Sequence, residues 1–167
     1  MRQKFFIFLP ISLNVTKKRC LVIGGGSVAQ EKIKRLLKFK VPITLISPEI
    51  TATLKRLARK RLIDFRRAYY KKGFIKKGDI VFAATSSKAL NRRISKDAKA
   101  KGAFVNAVDS KNYSTFIMPA IYKRRNITVA VSTSAMSPAL AKRLRDRIKE
   151  NWFNISKSNE IQTYGTK

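Results

Sequence analysis

Three consecutive glycines, Gly24-Gly25-Gly26, close an apolar run from Arg19 to Ile23 and lead directly into Ser27-Val28-Ala29. Glycine weakens the interior of any helix or strand, so three in a row mark a sharp reversal between two elements. The run before them reads as a buried strand. The segment after them, Val28 to Lys38, has helical period, with Ala29, Ile33, Leu36 and Leu37 on one face. The turn fits G-x-G-x-x-A: Gly24 permits the tight turn, Gly26 leaves the backbone bare where an anion must approach, and Ala29 lets helix and strand pack closely. A helix that starts at such a turn offers free N–H groups and a partial positive charge to phosphates. A glycine-rich turn of purely structural purpose is the plainer alternative.

The alternation continues down the chain. Val41 to Ile46 is a second apolar strand, Thr53 to Arg61 a helix with Leu54, Leu57 and Ala58 inward, and Ile63 to Phe65 a weak strand. Asp79 to Ala84 is a stronger strand. Leu90, Ile94 and Ala98 define a helix ended by Gly102, and Ala103 to Val108 is the next strand. Strands alternating with helices predict an α/β fold, a Rossmann-like parallel sheet with helices on both faces. Beyond Asp109 the pattern changes. Thr115 to Ile121 and Asn126 to Ser132 are expected to pair as a small antiparallel addition, and Ser137-Pro138 opens a C-terminal helix with Leu140, Leu144 and Ile148 as its inward stripe. The expected organisation is a dinucleotide-binding domain over 1–112, a strand pair and helix over 113–153 serving dimerisation and substrate, and a polar tail over 154–167.

Composition narrows the classes. Thirty-eight Lys and Arg stand against 9 Asp and Glu, a formal charge of +29, while 44% of the residues are apolar, enough for a core. The field attracts anions. It is spread along the chain, so it reads equally as solvated faces or as a binding surface. No helix-turn-helix, zinc-finger or aromatic RNA-binding signature accompanies it, so nucleic acid is not the expected partner. The single Cys20 lies in an apolar run and the chain has no His, which argues against a disulfide framework or a structural zinc site. Basic residues followed by Phe5 to Leu9 resemble a short export signal, but Pro10 interrupts the run and no cleavage site comes after it. Export is not expected, no span reaches membrane length, and a cytoplasmic location is expected.

The end of the second strand reads Ser47-Pro48-Glu49. Glu49 is placed to bind ribose hydroxyls or, equally, to favour the N-terminus of the next helix. No Arg stands at this strand end to welcome a 2′-phosphate, which leans towards NAD.

The chain resembles the precorrin-2 dehydrogenase/sirohydrochlorin ferrochelatase family, the N-terminal module of siroheme synthases. The resemblance runs from Phe8-Leu9-Pro10-Ile11 through Cys20 to Ala29. It takes in Ala83-Ala84-Thr85 with Asn91, Val105-Asn106-Ala107-Val108-Asp109 and Phe116-Ile117-Met118-Pro119-Ala120. It closes on Ser137-Pro138-Ala139-Leu140-Ala141-Lys142-Arg143-Leu144-Arg145. It implies NAD-dependent oxidation of precorrin-2 to sirohydrochlorin, in some members followed by insertion of Fe²⁺ as a substrate. It maps the catalytic aspartate onto Asp109 and the dinucleotide contacts onto Gly24, Gly25, Gly26, Ser27, Val28, Pro48 and Glu49, with Thr85 and Asn106 as further cofactor-side candidates. Asp109 follows a parallel strand at its carboxyl end, where ligands of open sheets sit. A carboxylate there can take a proton from the substrate or hold the pyrrole nitrogens by charge. Ser132, Thr133, Ser134 and Ser137 offer donors to the carboxylates of the macrocycle. The chain departs from the family at Ser134-Ala135-Met136, where glycines are usual, which implies a stiffer loop. It also has only a short segment after the last helix, where larger relatives continue with a region that dimerises. A homodimer is a possible assembly, and a binding module without turnover is the alternative function.

Overall fold

The computed structural model describes residues 7–156. Five strands form one parallel sheet: β1 (Cys20–Ile23), β2 (Ile43–Ser47), β3 (Asp64–Arg67), β4 (Ile80–Ala83) and β5 (Phe104–Ala107). Their spatial order is β3-β2-β1-β4-β5. Helix α1 (Ser27–Leu36) joins β1 to β2, α2 (Ala52–Arg59) joins β2 to β3, and α3 (Lys88–Ala100) joins β4 to β5. The chain steps outward from β1 to β3, then returns to the other side of β1 as β4. The strand order therefore reverses between β1 and β4, the point at which open sheets form a ligand crevice.

Both faces of the sheet are covered, as its near-continuous apolar strands require. Val22, Leu45 and Phe82 share one face with Ala29 and Ile33 of α1 and Leu54 of α2. Leu21, Ile46, Val81 and Val105 pack on the other against Ile94 and Ala98 of α3. The two edges differ. β3 reads Asp64-Phe65-Arg66-Arg67 and leaves its three charged residues exposed. The edge of β5 is closed by the segment after it: Thr115 N donates to Val105 O at 2.7 Å, Val105 N donates to Thr115 Oγ1 at 2.8 Å, and Ala107 N to Ser114 Oγ at 2.9 Å. The strand expected over Thr115 to Ile121 therefore does not form as such. Hydroxyls occupy the N–H groups that a ladder would need, and pairing begins only at Ala120.

The chain divides into two units, one spanning Phe8–Met118 and the other carrying Pro119 onward. The division comes after Met118 rather than after residue 112, because residues 114–116 are bonded to β5. In the second unit β6 (Ala120–Arg124) and β7 (Ile127–Val131) form an antiparallel hairpin, followed by α4 (Pro138–Glu150) and α5 (Trp152–Ser156). Tyr122 and Trp152 meet edge to face at 5.3 Å. The expected inward stripe of α4 needs correction at two of its three positions: Leu140 and Leu144 are 37% and 41% exposed, Ile148 is half-buried, and Ala141 is the buried position. A two-stranded hairpin covers only one side of a helix. Residues 154–156 of the expected tail belong to α5, and the remainder, like residues 1–6, lies outside the described residues.

Candidate functional site: a dinucleotide cleft

The three glycines of the turn do different work. Gly24 has φ +113°, and a Cβ there would lie 2.2 Å from Ala84 O. A Cβ on Gly25 would lie 1.9 Å from Glu49 O, and the carbonyl of Gly25 accepts from Thr51 N at 3.1 Å. These two glycines thus seat the turn against the loops after β4 and β2. A Cβ on Gly26 would meet nothing within 4 Å. Gly26 is the extended N-cap of α1, whose first turn has no acidic residue, and the first N–H groups of the helix have no intrahelical acceptor. They open onto a cleft of about 850 Å³ at the carboxyl ends of the strands.

The cleft gathers Gly24, Gly25, Gly26, Ser27, Val28, Pro48, Glu49 and Thr85 from the expected site, together with Tyr69, Tyr70, Ser86 and Ser87. Among the described residues Glu49 is the only charged side chain lining it; no Lys or Arg does. Glu49 precedes Thr51, the residue that caps α2 by accepting from Leu54 N at 3.3 Å, so it lies outside the first turn of that helix. The reading of Glu49 as a helix-terminus charge loses ground accordingly. Thr51 Oγ1 also donates to Gln30 Oε1 of α1 at 2.8 Å, tying the two helices that flank the turn. Thr85 N and Oγ1 both donate to Asn91 Oδ1, at 3.1 and 2.8 Å, while Asn91 Nδ2 returns a bond to Thr85 O at 3.0 Å. Buried Asn91 therefore fixes the rim loop after β4. A bare Cβ position and free helix N–H groups fit the phosphates of a dinucleotide, and Glu49 fits its ribose.

The remaining expected residues stand apart from this lining. Asn106 is buried on β5, beside Phe82 in the register; its Nδ2 donates to Phe116 O at 3.1 Å and its Oδ1 has no partner among the described residues. Asp109 is exposed just past β5, and no hydrogen bond or ion pair engages its carboxylate among the described residues. Ser132, Thr133, Ser134 and Ser137 belong to the second unit. There Ser132 Oγ accepts from Ser134 N, Thr133 Oγ1 from Ser137 N, and Ser137 Oγ from Leu140 N. Each of these three hydroxyls thus accepts, and its own O–H is left to donate. Ser134 and Ala135 sit at φ 51° and 60°, the left-handed region that glycine would occupy freely.

The two tyrosines after β3 were not anticipated, because that edge strand carried too weak an apolar signal. Its place beside β2 was the available clue. Tyr70 O–H donates to Asp97 Oδ2 at 2.9 Å, and burial together with that bond raises its pKa above the ordinary tyrosine value. Cys20 is buried in β1, where desolvation and the charge of Asp79 push its thiol up to about 12, so it is a packing residue and not a nucleophile.

The family model described as "Putative NAD(P)-binding" matches residues 11–120. Siroheme synthase from Pseudoalteromonas translucida (strain TAC 125) is 37% identical over 142 residues, covering 85% of this chain and 30% of that protein. Siroheme synthase from Nitrosomonas europaea is 37% identical over 143 residues with the same coverage, 85% and 30%. The chain thus spans about a third of the length of the curated relatives it matches. A solved structure, "SirC, precorrin-2 dehydrogenase", superposes with a TM-score of 0.70 at 25% identity, covering 86% of this chain and 71% of that one. On the family-model match the chain belongs to the NAD(P)-binding family.

Proposed function

We propose that the chain oxidises precorrin-2 to sirohydrochlorin with NAD as cofactor. One observation carries the reading: a dinucleotide cleft lies at the carboxyl edge of the same sheet whose last strand leads to Asp109, a carboxylate without a partner among the described residues. NAD, when bound, supplies the hydride acceptor. The N–H groups of α1 and the bare backbone of Gly26 would hold the pyrophosphate, with Ser27 and Val28 beside it, and Glu49, after Pro48, would take the ribose hydroxyls. The carboxylate of Glu49 in the lining favours NAD over NADP. Thr85, fixed by Asn91, borders the cofactor. Asn106 supports the site by anchoring Phe116 and offering its free Oδ1. The oxidation removes two hydrogens, one as hydride and one as a proton. Asp109 receives the proton or, in the charge reading, holds the pyrrole N–H groups. Ser132, Thr133, Ser134 and Ser137 supply donors to the substrate carboxylates.

Insertion of Fe²⁺ as a second substrate, a homodimer and a cytoplasmic location belong to the same proposal. The dimer is supported by exposed Leu140 and Leu144 in the second unit. Among the described residues no helix is long and apolar enough to cross a membrane. Mixing protein, precorrin-2 and NAD is expected to give the sirohydrochlorin spectrum with reduction of NAD, and adding Fe²⁺ or Co²⁺ reads chelation. Binding of precorrin-2 without spectral change or NADH selects instead a binding module, the reading that Asp109's position outside the cleft lining favours.

A further inference from the structure

On the solvent side of α3 lies a second groove of about 530 Å³, walled by Arg92, Arg93, Lys96 and Lys99 with Ser95 and Tyr113. Arg92, Lys96 and Lys99 recur at i, i+4 and i+7, so three cations form one row about 10 Å long at 1.5 Å rise per residue. The Arg92 guanidinium lies 5.4 Å over the Tyr113 ring. Ser95 Oγ donates to Tyr113 O, which fixes the ring as a wall of the groove. No carboxylate lines the groove, and none of its four cations joins an ion pair among the described residues. Like charges at these spacings repel unless something supplies the counter-charge.

The dinucleotide cleft has the opposite character: among the described residues lining it Glu49 is the one charged side chain, so the lining offers no cation to a substrate bearing eight carboxylates. Ala89 lines the groove and Leu90 lines the cleft, on the first turn of the same helix, and Arg93 acts through its charge on Tyr70 of the cleft. Tyr113 itself ends the turn Lys111–Tyr113 just after Asp109. We infer that the groove on α3 is a capture site for the polycarboxylate tetrapyrrole, holding its carboxylates on a guanidinium and ammonium row before the macrocycle reaches Asp109. The inference rests on the function proposed above. Guanidinium groups engage carboxylates in paired, charge-assisted bonds, and a local cationic row speeds capture. A nucleic-acid strand fits less well. The row is short, and one face of its single ring is already covered by Arg92, leaving no succession of rings for bases to stack on.

The test is the triple variant Arg92→Gln/Lys96→Gln/Lys99→Gln, which leaves Arg93 and its neighbour Tyr70 intact. Arg56→Gln/Arg59→Gln/Lys60→Gln on α2 is the control of equal charge. Initial rates with precorrin-2 are measured across ionic strength. Binding of uroporphyrin, an octacarboxylate, is followed by its absorbance, with the tetracarboxylate coproporphyrin as comparison. The α3 variant is expected to lose about tenfold in kcat/KM at low salt, with a shallower salt dependence and unchanged kcat and KM for NAD. It is also expected to lose its preference for uroporphyrin over coproporphyrin, while the α2 control stays close to wild type. Equal loss in both variants overturns the groove in favour of a diffuse field, and no loss in either overturns it outright. If a single-stranded oligonucleotide binds in a way that the α3 substitutions abolish while uroporphyrin affinity is unchanged, the groove is a nucleic-acid site and the inference fails. A wild-type protein that binds uroporphyrin but never oxidises precorrin-2 refutes the proposed reaction, and the porphyrin titration still decides the groove.

Discussion

Gly25 and Gly26 are neighbours with opposite reasons for lacking a side chain. Gly25→Ala pushes a methyl into Glu49 O and is expected to destabilise the fold by about 1–3 kcal/mol, read as a lowered denaturation midpoint. Gly26→Ala enters open space on the cleft. It is expected to leave the midpoint almost unchanged while weakening NAD about tenfold or more, as lost bonds to a charged phosphate would; titration of NADH fluorescence distinguishes the two. Asp109→Asn is expected to retain the fold and to lower kcat for precorrin-2 by about a hundredfold or more, the usual worth of a proton acceptor. Normal turnover in that variant removes Asp109 from the chemistry. Lys32 on α1 is a residue of stability alone. Burial, with a smaller push from Arg35, lowers its pKa to about 8. The folded state releases this proton before the unfolded chain does, so stability is expected to rise with pH from about 8 towards 10.5. Cys20 runs the other way, losing stability as pH rises from 9 towards about 12. Lys32→Met should remove the rise, and denaturant midpoints at about pH 7.5 and about pH 9 check it.

At the scale of elements, Asn91 couples α3 to the rim of the cleft. Asn91→Leu removes three bonds and strands the N–H of Thr85, an expected cost of about 2–3 kcal/mol with a raised KM for NAD; Asn91→Asp, which keeps the acceptor, should recover part of both. The loop before α4 holds Ser134 and Ala135 in the left-handed region. Ala135→Gly is expected to stabilise the chain by about 0.5–1 kcal/mol, measured by thermal unfolding. The parallel sheet and its order of elements were legible because β1, β2 and β4 are buried on both faces and are mostly apolar. The glycine turn was legible because its purpose is local. The covering of β5 was not, since apolar Phe116 to Met118 looks like strand while the decisive hydroxyls of Ser114 and Thr115 look like loop. Asn106, a cofactor-side candidate, gives its amide N–H to Phe116 O, a contact that depends on where a later segment returns. The stripe of α4 was misread because periodicity reveals that a helix has an apolar face, not that its neighbour is wide enough to cover it.

Across the whole molecule, charge outweighs every other feature. A net +29 leaves most cations without a carboxylate, and mutual repulsion opposes the compact state. Raising sodium chloride from about 0.05 to about 0.5 M is therefore expected to raise the midpoint of thermal unfolding at about pH 7. The arrangement of that charge matters more than its sum, because the cleft excludes it and α3 concentrates it. The two margins of the parallel sheet carry a different consequence. One, β3, presents Asp64, Arg66 and Arg67, and the other, β5, is sealed by the hydroxyls and backbone of residues 114–116. Neither offers a bare, neutral row of amides on which another chain could template itself. Crowding such molecules together in concentrated solution is thus steered away from fibril growth along this sheet.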